Sequence, residues 1–235
     1  SYSYKMPVSS MLAGKLPVTG LLTGMSFVLI LAFSIPLGIF TARHAGGRLD
    51  RAMTAVNQVL MAIPAFVTGI LLTYVFGLVL RWFVPGNYVS PGDNFGGSLW
   101  YFLFPAVSIA LPRVAMTVKM LRSSILSELQ KDYVRTSHSR GNSDRATLYR
   151  HVLRNAMGPV VSFLAMTVAD IVAGSVVIEQ VFSLPGLGRM LLTSIANRDY
   201  PVVQAVVVIV AFWVVLVNLL ADLINQRLDP RLRLT

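Results

Sequence analysis

Two ionisable residues lie inside otherwise apolar stretches, and they are the first candidates for chemistry. Asp170 interrupts the run 155–178, and Arg113 directly follows the run 94–112. A charge in hydrocarbon costs about 3 kcal/mol or more, so each needs a partner or water. At a helical rise of ~1.5 Å per residue, Asp170 lies ~21 Å from the start of its helix near Ala156, and Arg113 lies ~13 Å from Arg122 in its own helix. An Arg113–Asp170 pair is therefore possible, either holding two helices together or lining a polar path.

Catalysis by a nucleophile and a base finds no support in the sequence. Such catalysis needs both groups within reach of each other, yet His44, His138 and His151 fall outside the apolar runs. These histidines also lack a second ligand at metal spacing, and the chain has no cysteine. The only Gly-Lys pair, Gly14-Lys15, lacks the upstream glycine and the hydroxyl residue of a phosphate-binding loop. We expect neither a metal site nor ATP hydrolysis by that loop.

The elements that carry these residues are long apolar runs. Of 235 residues, 55% are hydrophobic and 13% charged, about half the charged fraction of a typical soluble domain. A helix needs ~20 apolar residues to cross ~30 Å of hydrocarbon. We predict an all-α membrane bundle of five spans, at 16–42, 54–80, 99–121, 157–180 and 201–224. The membrane domain is 16–235, with an external segment 1–15 and an internal loop 122–156.

The net charge of +10 could indicate nucleic-acid binding, so the placement of the charges has to decide. Fourteen of the 20 Lys and Arg residues fall in alternate connections on one side of the predicted bundle, and five on the other. The positive-inside rule makes the first side cytoplasmic, with the C-terminus inside and Ser1 outside. The basic excess thus reports topology, and no nucleic-acid partner is expected. An external start without a recognisable export signal predicts a further span before residue 1.

The external connections carry turn signals. The stretch 81–98 is rich in Pro and Gly, which predicts an irregular loop. The turn 183–188 is followed by a short apolar segment, 189–196, expected in the interface or partly inside the bundle from outside. Asp199 before Pro201 is a helix-start signal for the last span.

A charge at the edge of a membrane span costs little free energy. Glu179 lies at the outer end of span four and Asp222 at the inner end of span five, so we expect both to anchor at the interfaces.

Prolines remove a backbone donor and tend to kink helices. Those within or beside the runs are Pro36, Pro64, Pro105, Pro112 and Pro159.

The internal loop is the most informative region. Ile125, Leu129 and Tyr133 recur at helical spacing, and the stretch 141–144 then breaks the helix. A second amphipathic piece follows, and the loop carries about five net positive charges. A basic amphipathic helix suits acidic lipid headgroups and a partner protein equally well, so both remain open.

Motifs in this loop carry a resemblance. The stretch 132–137 reads Asp-Tyr-Val-Arg-Thr-Ser, Gly141 follows, and 150–156 reads Arg-His-Val-Leu-Arg-Asn-Ala. Together they resemble the cytoplasmic signature of permeases from binding-protein-dependent ABC importers, which is Glu-Ala-Ala, three residues, then Gly. Here Arg135-Thr136-Ser137 replaces Glu-Ala-Ala, as is usual in the oligopeptide, dipeptide and nickel branch.

Other motifs of the same branch, in its first-permease type, agree in order and spacing. They are Glu-Gln-Val-Phe-Ser-Leu-Pro-Gly-Leu-Gly-Arg at 179–189, Arg-Asp-Tyr-Pro-Val-Val-Gln at 198–204, Val-Asn-Leu-Leu-Ala-Asp at 217–222 and Leu-Asp-Pro-Arg-Leu-Arg at 228–233. The resemblance covers the chain from about residue 16, and family members carry one more N-terminal span.

The resemblance implies a type I ABC importer transmembrane fold and assigns roles to particular residues. The coupling helix that docks on the ATPase would involve Asp132, Tyr133, Val134, Arg135, Thr136 and Gly141. The external gate or loop would involve Glu179, Pro185, Gly186, Gly188 and Asp199.

The resemblance also implies partners and a location. Two separate ATPase subunits would bind ATP and Mg, so no cofactor is expected in this chain. A second homologous permease, an external solute-binding protein and membrane lipid would complete the assembly in the bacterial cytoplasmic membrane. Peptides are the expected substrate, with nickel chelates, glutathione and oligosaccharides open. A secondary transporter is disfavoured because no internal repeat is visible.

Overall fold

The computed structural model describes residues 1–228, and the expected tail motif with Arg231 and Arg233 lies outside this range. Two π-helical segments, Thr73–Val79 and Leu148–Val152, continue α4 and α7. No strand occurs among the described residues. The helices, numbered α1 to α10, are Val8–Ala13, Leu16–Arg43, Arg48–Ala62, Ala65–Leu72, Phe95–Leu129, Asp132–Ser139, Asp144–Thr147, Leu153–Val181, Leu187–Ala196 and Tyr200–Leu228.

Four helical stretches within the described range are long and apolar enough to cross a membrane. They are Val8–Arg43, Phe95–Leu129, Asp144–Val181 and Tyr200–Ile224. The pair α3 and α4, with its π-helical extension, makes a fifth if it is one broken span. The architecture is thus an all-helical bundle of four or five spans.

The second predicted span, 54–80, is not one straight helix. It is divided between α3 and α4, whose axes bend by 93°. Ile63, which precedes Pro64, has φ −87° and ψ 119°, because proline disfavours the helical conformation in the residue before it. Pro64 also has no N–H to continue the helix, so the chain changes direction there. Hydropathy alone does not show this break, since apolar residues continue on both sides.

Helix α5 is the centre of the bundle. In the most apolar 18-residue stretch of α5, 61% is buried within the chain, against 11% in that of α10. It packs against α2, α3, α4 and α8. The core around it includes Phe102, Leu121 and Ile125 from α5, with Ile30 and Ile171 from its neighbours. The helix is longer than the predicted span 99–121, since it begins at Phe95 and continues to Leu129.

A buried ion pair joins the turn between α2 and α3 to α5. The guanidinium of Arg122 donates to both carboxylate oxygens of Asp50, at 2.7 and 2.6 Å, and the Gly46 N–H donates to Asp50 at 2.9 Å. Asp50 is only 4% exposed. The hydrogen bonds from Arg122 and then Gly46 hold the pKa of Asp50 below its ordinary value. This contact fixes three helices relative to one another at a single end of the bundle.

Replacing Asp50 by Asn should destabilise the protein by about 2 kcal/mol, the order expected for losing hydrogen bonds to a charged group. Because the pKa of Asp50 is lowered in the folded protein, the pair stabilises it above the ordinary aspartate pKa. That stabilisation is lost as the pH falls through the lowered pKa. Thermal unfolding in detergent between pH 3 and pH 7 measures both effects, with the exposed Asp93→Asn as control. Equal unfolding temperatures for the two variants at pH 7 would contradict the assignment.

Candidate functional site

A short helix projects between the ends of two spans. Helix α6 follows α5 after an extended residue, Lys131 (ψ 151°), and ends in a left-handed glycine, Gly141 (φ +81°). The Gly141 N–H donates to the His138 carbonyl at 2.9 Å and the Asn142 N–H to the Ser137 carbonyl at 3.3 Å. This is the Schellman pattern, which favours glycine at the left-handed position. The predicted amphipathic helix around Ile125 to Tyr133 is therefore shared between two helices.

One face of α6 is buried and the other is open. Val134 and Ser137 are buried, and the Ser137 hydroxyl lies 2.9 Å from that of Thr147 in α7. Asp132, Arg135 and Thr136 are exposed. The outer face of α6 is therefore polar and available to another molecule.

The base of α6 is fixed by a polar cluster. Glu128 accepts from the Tyr133 hydroxyl at 2.8 Å and from the Lys131 ammonium at 2.5 Å. Burial, more than the hydrogen bonds, raises the pKa of Tyr133. The Ser124 hydroxyl donates to the Ala156 carbonyl at 2.8 Å, which joins α5 to α8. Because both ends of the loop are tied to spans, α6 is held as part of the bundle.

The predicted pair between the spans forms in the structure. The Arg113 guanidinium lies 2.8 Å from the Asp170 carboxylate. The Arg113 side chain is 26% exposed and that of Asp170 is 56% exposed. Asp170 belongs to an exposed stripe that runs the length of α8. The stripe, here called the α8 stripe, consists of Asn155, Pro159, Ser162, Met166, Asp170, Ala173, Val177 and Gln180.

The position of Glu179 in the sequence predicted an interfacial anchor. This prediction is wrong, because the residue is fully buried. The Thr19 hydroxyl donates to its Oε1 at 2.6 Å, and the Arg189 N–H donates to its Oε2 at 3.0 Å. The Thr19 oxygen itself accepts from the Leu187 N–H at 2.8 Å. The carboxyl group thus lies against the first turn of α9, where helices present unpaired N–H groups and a partial positive charge.

The glycines of the external turn are required by close approach to Glu179 and α8. A β-carbon at Gly186 would overlap the Glu179 carboxyl group. A β-carbon at Gly188 would overlap the backbone of Val176 in α8. The turn itself is held by the Tyr101 hydroxyl, which donates to the Phe182 carbonyl at 2.7 Å. Pro185 lines a cavity beside this turn.

Asp199 has a different set of partners from those expected. Its carboxylate accepts from the Ser1 hydroxyl, and from the N–H groups of Tyr2 at 3.1 Å and Ser3 at 3.3 Å. Burial raises the pKa of Asp199, but these hydrogen bonds together outweigh it and lower the pKa below its ordinary value. Asp199 therefore joins the external segment to the start of α10.

Sequence reasoning missed two of these contacts. Asp50 is the one acidic residue in the otherwise basic stretch 43–51, which marks it as a candidate for an ion pair. Thr19 lies 160 residues from Glu179 in an apolar run, and no local pattern identifies it. In the part of the chain that the structure describes, no group of three His, Cys, Asp or Glu side chains could hold a metal ion.

Comparison with known proteins shows the same family across nearly the whole chain. Residues 34–234 match the family described as "Binding-protein-dependent transport system inner membrane component". A probable peptide ABC transporter permease from Sinorhizobium fredii is 33% identical over 97% of the chain and 73% of its own length. The oligopeptide transport system permease AppB of Bacillus subtilis is 36% identical over 96% and 72%. The nickel import system permease NikB of Staphylococcus aureus is 32% identical over 100% and 68%.

Solved structures agree on the fold. Two inward-facing crystal forms of the MetNI methionine ABC transporter match with TM-scores of 0.73 and 0.75, at 18% and 16% identity. Each match covers 96% of this chain and 99% of the other. The fold is thus that of a type I importer, and the chain belongs to the permease family of binding-protein-dependent ABC importers.

Proposed function

We propose that this permease moves di- or oligopeptides inward across the bacterial cytoplasmic membrane, driven by ATPase subunits that dock on α6. The observation that carries the proposal is the geometry of α6. Its polar face is exposed, while its buried face contacts α7 through Ser137 and Thr147. Tyr133 at its start is hydrogen-bonded to Glu128 of α5 and to Asn155 of α8. A rigid-body displacement of a partner bound to this face would move the spans rather than the loop alone.

The electrostatics of this end of the bundle support a cytoplasmic location. Exposed arginines occur in α6 and along the chain that follows it, namely Arg135, Arg140, Arg145, Arg150 and Arg154. Positive charge concentrates on the cytoplasmic side of membrane proteins. The C-terminus would lie on the same side. Docking to an ATPase accounts for the polar outer face, and the neighbouring arginines suit acidic lipid headgroups.

The partners follow from the reaction that a permease needs. Two ATPase subunits would bind ATP and Mg, and an external solute-binding protein would deliver the substrate. A second, homologous permease would complete the path. Peptide as substrate is supported by the relatives named for peptides, while a nickel chelate is the second candidate because NikB matches the whole chain.

The substrate is tested by reconstituting the permease with its partner subunits in liposomes and measuring uptake. Di- to pentapeptides should be taken up in the presence of ATP and stimulate ATP hydrolysis, whereas a nickel chelate should do neither. Uptake of the nickel chelate without peptide uptake would replace the first candidate by the second. ATP-independent uptake would contradict the importer mechanism.

Coupling through α6 is tested at Gly141. Proline cannot adopt φ +81° and would remove the N–H that donates to His138, so Gly141→Pro should displace α6. We expect the amount of peptide moved per ATP to fall about tenfold while the complex stays assembled. The charge reversal Arg135→Glu should act in the same direction by altering the docking face.

A matched control for that change is available on the other side of the bundle. Gly86 also has a left-handed φ, +82°, and its N–H donates to the Tyr101 hydroxyl. Gly86→Pro therefore introduces the same backbone change outside α6. Because the Tyr101 hydroxyl still donates to the Phe182 carbonyl, the peptide moved per ATP should be unchanged. Equal losses in the two variants would show general destabilisation in place of uncoupling.

The α8 stripe is proposed as part of the wall of the translocation path. A half-exposed carboxylate at mid-span is costly against lipid, so the surface that carries Asp170 faces water or another subunit. By contrast, the residues exposed in the middle of α10, between positions 205 and 217, are all apolar, as Val208 and Phe212 show. We therefore propose that α8 faces the path and α10 faces lipid.

The absence of cysteine from the chain makes this orientation directly measurable. Ala173→Cys places a thiol on the α8 stripe one turn from Asp170, and Val208→Cys places one on the exposed face of α10. A charged, water-soluble thiol reagent should label the first at least ten times faster than the second. Equal rates would exclude an aqueous path along α8. Asp170→Asn should also lower peptide uptake at an equal amount of assembled complex.

A further inference from the structure

Helix α8 and its N-terminal extension, which is α7 with its π-helical segment, form one continuous helical stretch between the two ends of the bundle. The helical stretch Asp144–Val181 contains 38 residues, which corresponds to ~57 Å at 1.5 Å per residue. Its first residues follow α6 directly, and Glu179 lies two residues from its end. A displacement of this helical stretch at its α6 end is therefore transmitted to the external turn.

The attachment of α9 to this helical stretch depends on the Glu179 carboxyl group. The Thr19 hydroxyl accepts a hydrogen bond from Leu187 and so has its own proton free for Glu179. The second oxygen of Glu179 accepts from the Arg189 N–H. Both donors are fixed, one by α2 and one by the backbone of α9, so this position requires two acceptor oxygens. A glutamine has one acceptor oxygen and one NH₂ group, and one of the two donors would lose its partner.

The packing around this carboxyl group is tight. Gly186 lies against the carboxyl group and Gly188 lies against the backbone of Val176, each at a distance that excludes a β-carbon. Tight packing of this kind transmits displacement instead of absorbing it. The arginine side chain of Arg189 adds a hydrogen bond to the Ser183 carbonyl at 3.0 Å.

The opposite side of α9 is less constrained. A cavity of about 440 Å³ separates it from the external segment, with Met11, Lys15, Pro185 and Thr193 among its lining residues. A small apolar cluster, separate from the main core, includes Leu12 of α1, Met190 of α9 and Val206 of α10. Helix α9 is therefore held more closely to α8 than to the external segment.

We infer that Glu179 is a positioning residue that makes α8 and α9 move as one body, so that movement received at α6 also moves the external turn and α9. The inference rests on the proposed docking of an ATPase at α6. It assigns Glu179 a role in the coupling of the two ends of the path, beyond its role as a buried hydrogen-bond acceptor. Neither oxygen of Glu179 contacts solvent, so it does not bind the substrate.

A distance measurement tests this inference without reference to the substrate. In the cysteine-free chain, spin labels at Val177→Cys on α8 and Leu192→Cys on α9 occupy exposed positions on the two helices. In the assembled complex, the distance distribution should be narrow and the same in the resting and the ATP-bound states. In Glu179→Gln it should be at least twice as broad, while the external control Asp93→Asn should match the parent.

Transport by the unlabelled variants provides the second measurement. Glu179→Gln should keep basal ATP hydrolysis but move at least ten times less peptide per ATP, and Glu179→Asp should restore part of this ratio. Gly188→Ala should repeat the loss, because its β-carbon meets the backbone of Val176. Gly92→Ala should not, because its β-carbon would make only an ordinary contact of 3.7 Å with the Ser90 hydroxyl.

The outcomes separate this inference from the proposed function. A parent distance that changes between the two nucleotide states would overturn the rigid connection, even if no variant could be assembled. A Glu179→Gln variant with a narrow distance distribution and an unchanged amount of peptide moved per ATP would overturn the role of Glu179. If the parent complex moves no peptide but keeps a constant distance, the proposed substrate fails and the rigid connection stands.

Discussion

The cost of an unpaired charge or backbone group in hydrocarbon constrains this chain more than any other factor. Helices satisfy the backbone internally, and several buried hydroxyls follow the same rule, although those of Thr23, Ser34, Thr73 and Ser98 have no hydrogen-bond partner within the described residues. Ser26, Ser108 and Thr167 each donate to a carbonyl four residues earlier in their own helix. The acidic residues that the bundle encloses have also found donors within the chain, Asp50 in Arg122 and Glu179 in Thr19 and Arg189. Each such pairing joins two or more helices, so the requirement for partners also determines how the helices are arranged.

These pairings lie at two ends of the molecule, on either side of a common core. At one end, Asp50, Arg122 and the contacts of Ser124 fix α3, α5 and α8 beneath the projecting α6. At the other end, Glu179 and Tyr101 fix the external turn against α2, α5 and α8. Helix α5 contributes to both ends and is the most buried of the four long spans. The α8 stripe, which carries Asp170, runs between the two ends and is exposed.

Much of this arrangement follows from the sequence, because long apolar runs and clustered arginines have few alternative explanations. The all-helical fold, the irregular loop near residues 81–94 and the turn at Gly141 were all expected from local patterns. The bend at Pro64 was not, since hydropathy records where a segment is apolar and does not record its direction. The burial of Glu179 was also missed. Its position near the end of an apolar run suggested an interface, whereas its donors lie on α2 and α9, and only the tertiary structure brings them together.

The separation of these contacts along the sequence implies an order of assembly. The α6–α7 hairpin is stabilised by bonds within about one helical turn or between residues ten apart, such as Ser137 and Thr147. Local contacts of this kind close small loops and form quickly. The bond between Thr19 and Glu179 spans 160 residues, so it cannot form until the helices that carry both residues have been synthesised and inserted. The external turn is therefore among the last parts of the chain to reach its native position, and its completion reports that the bundle has closed correctly.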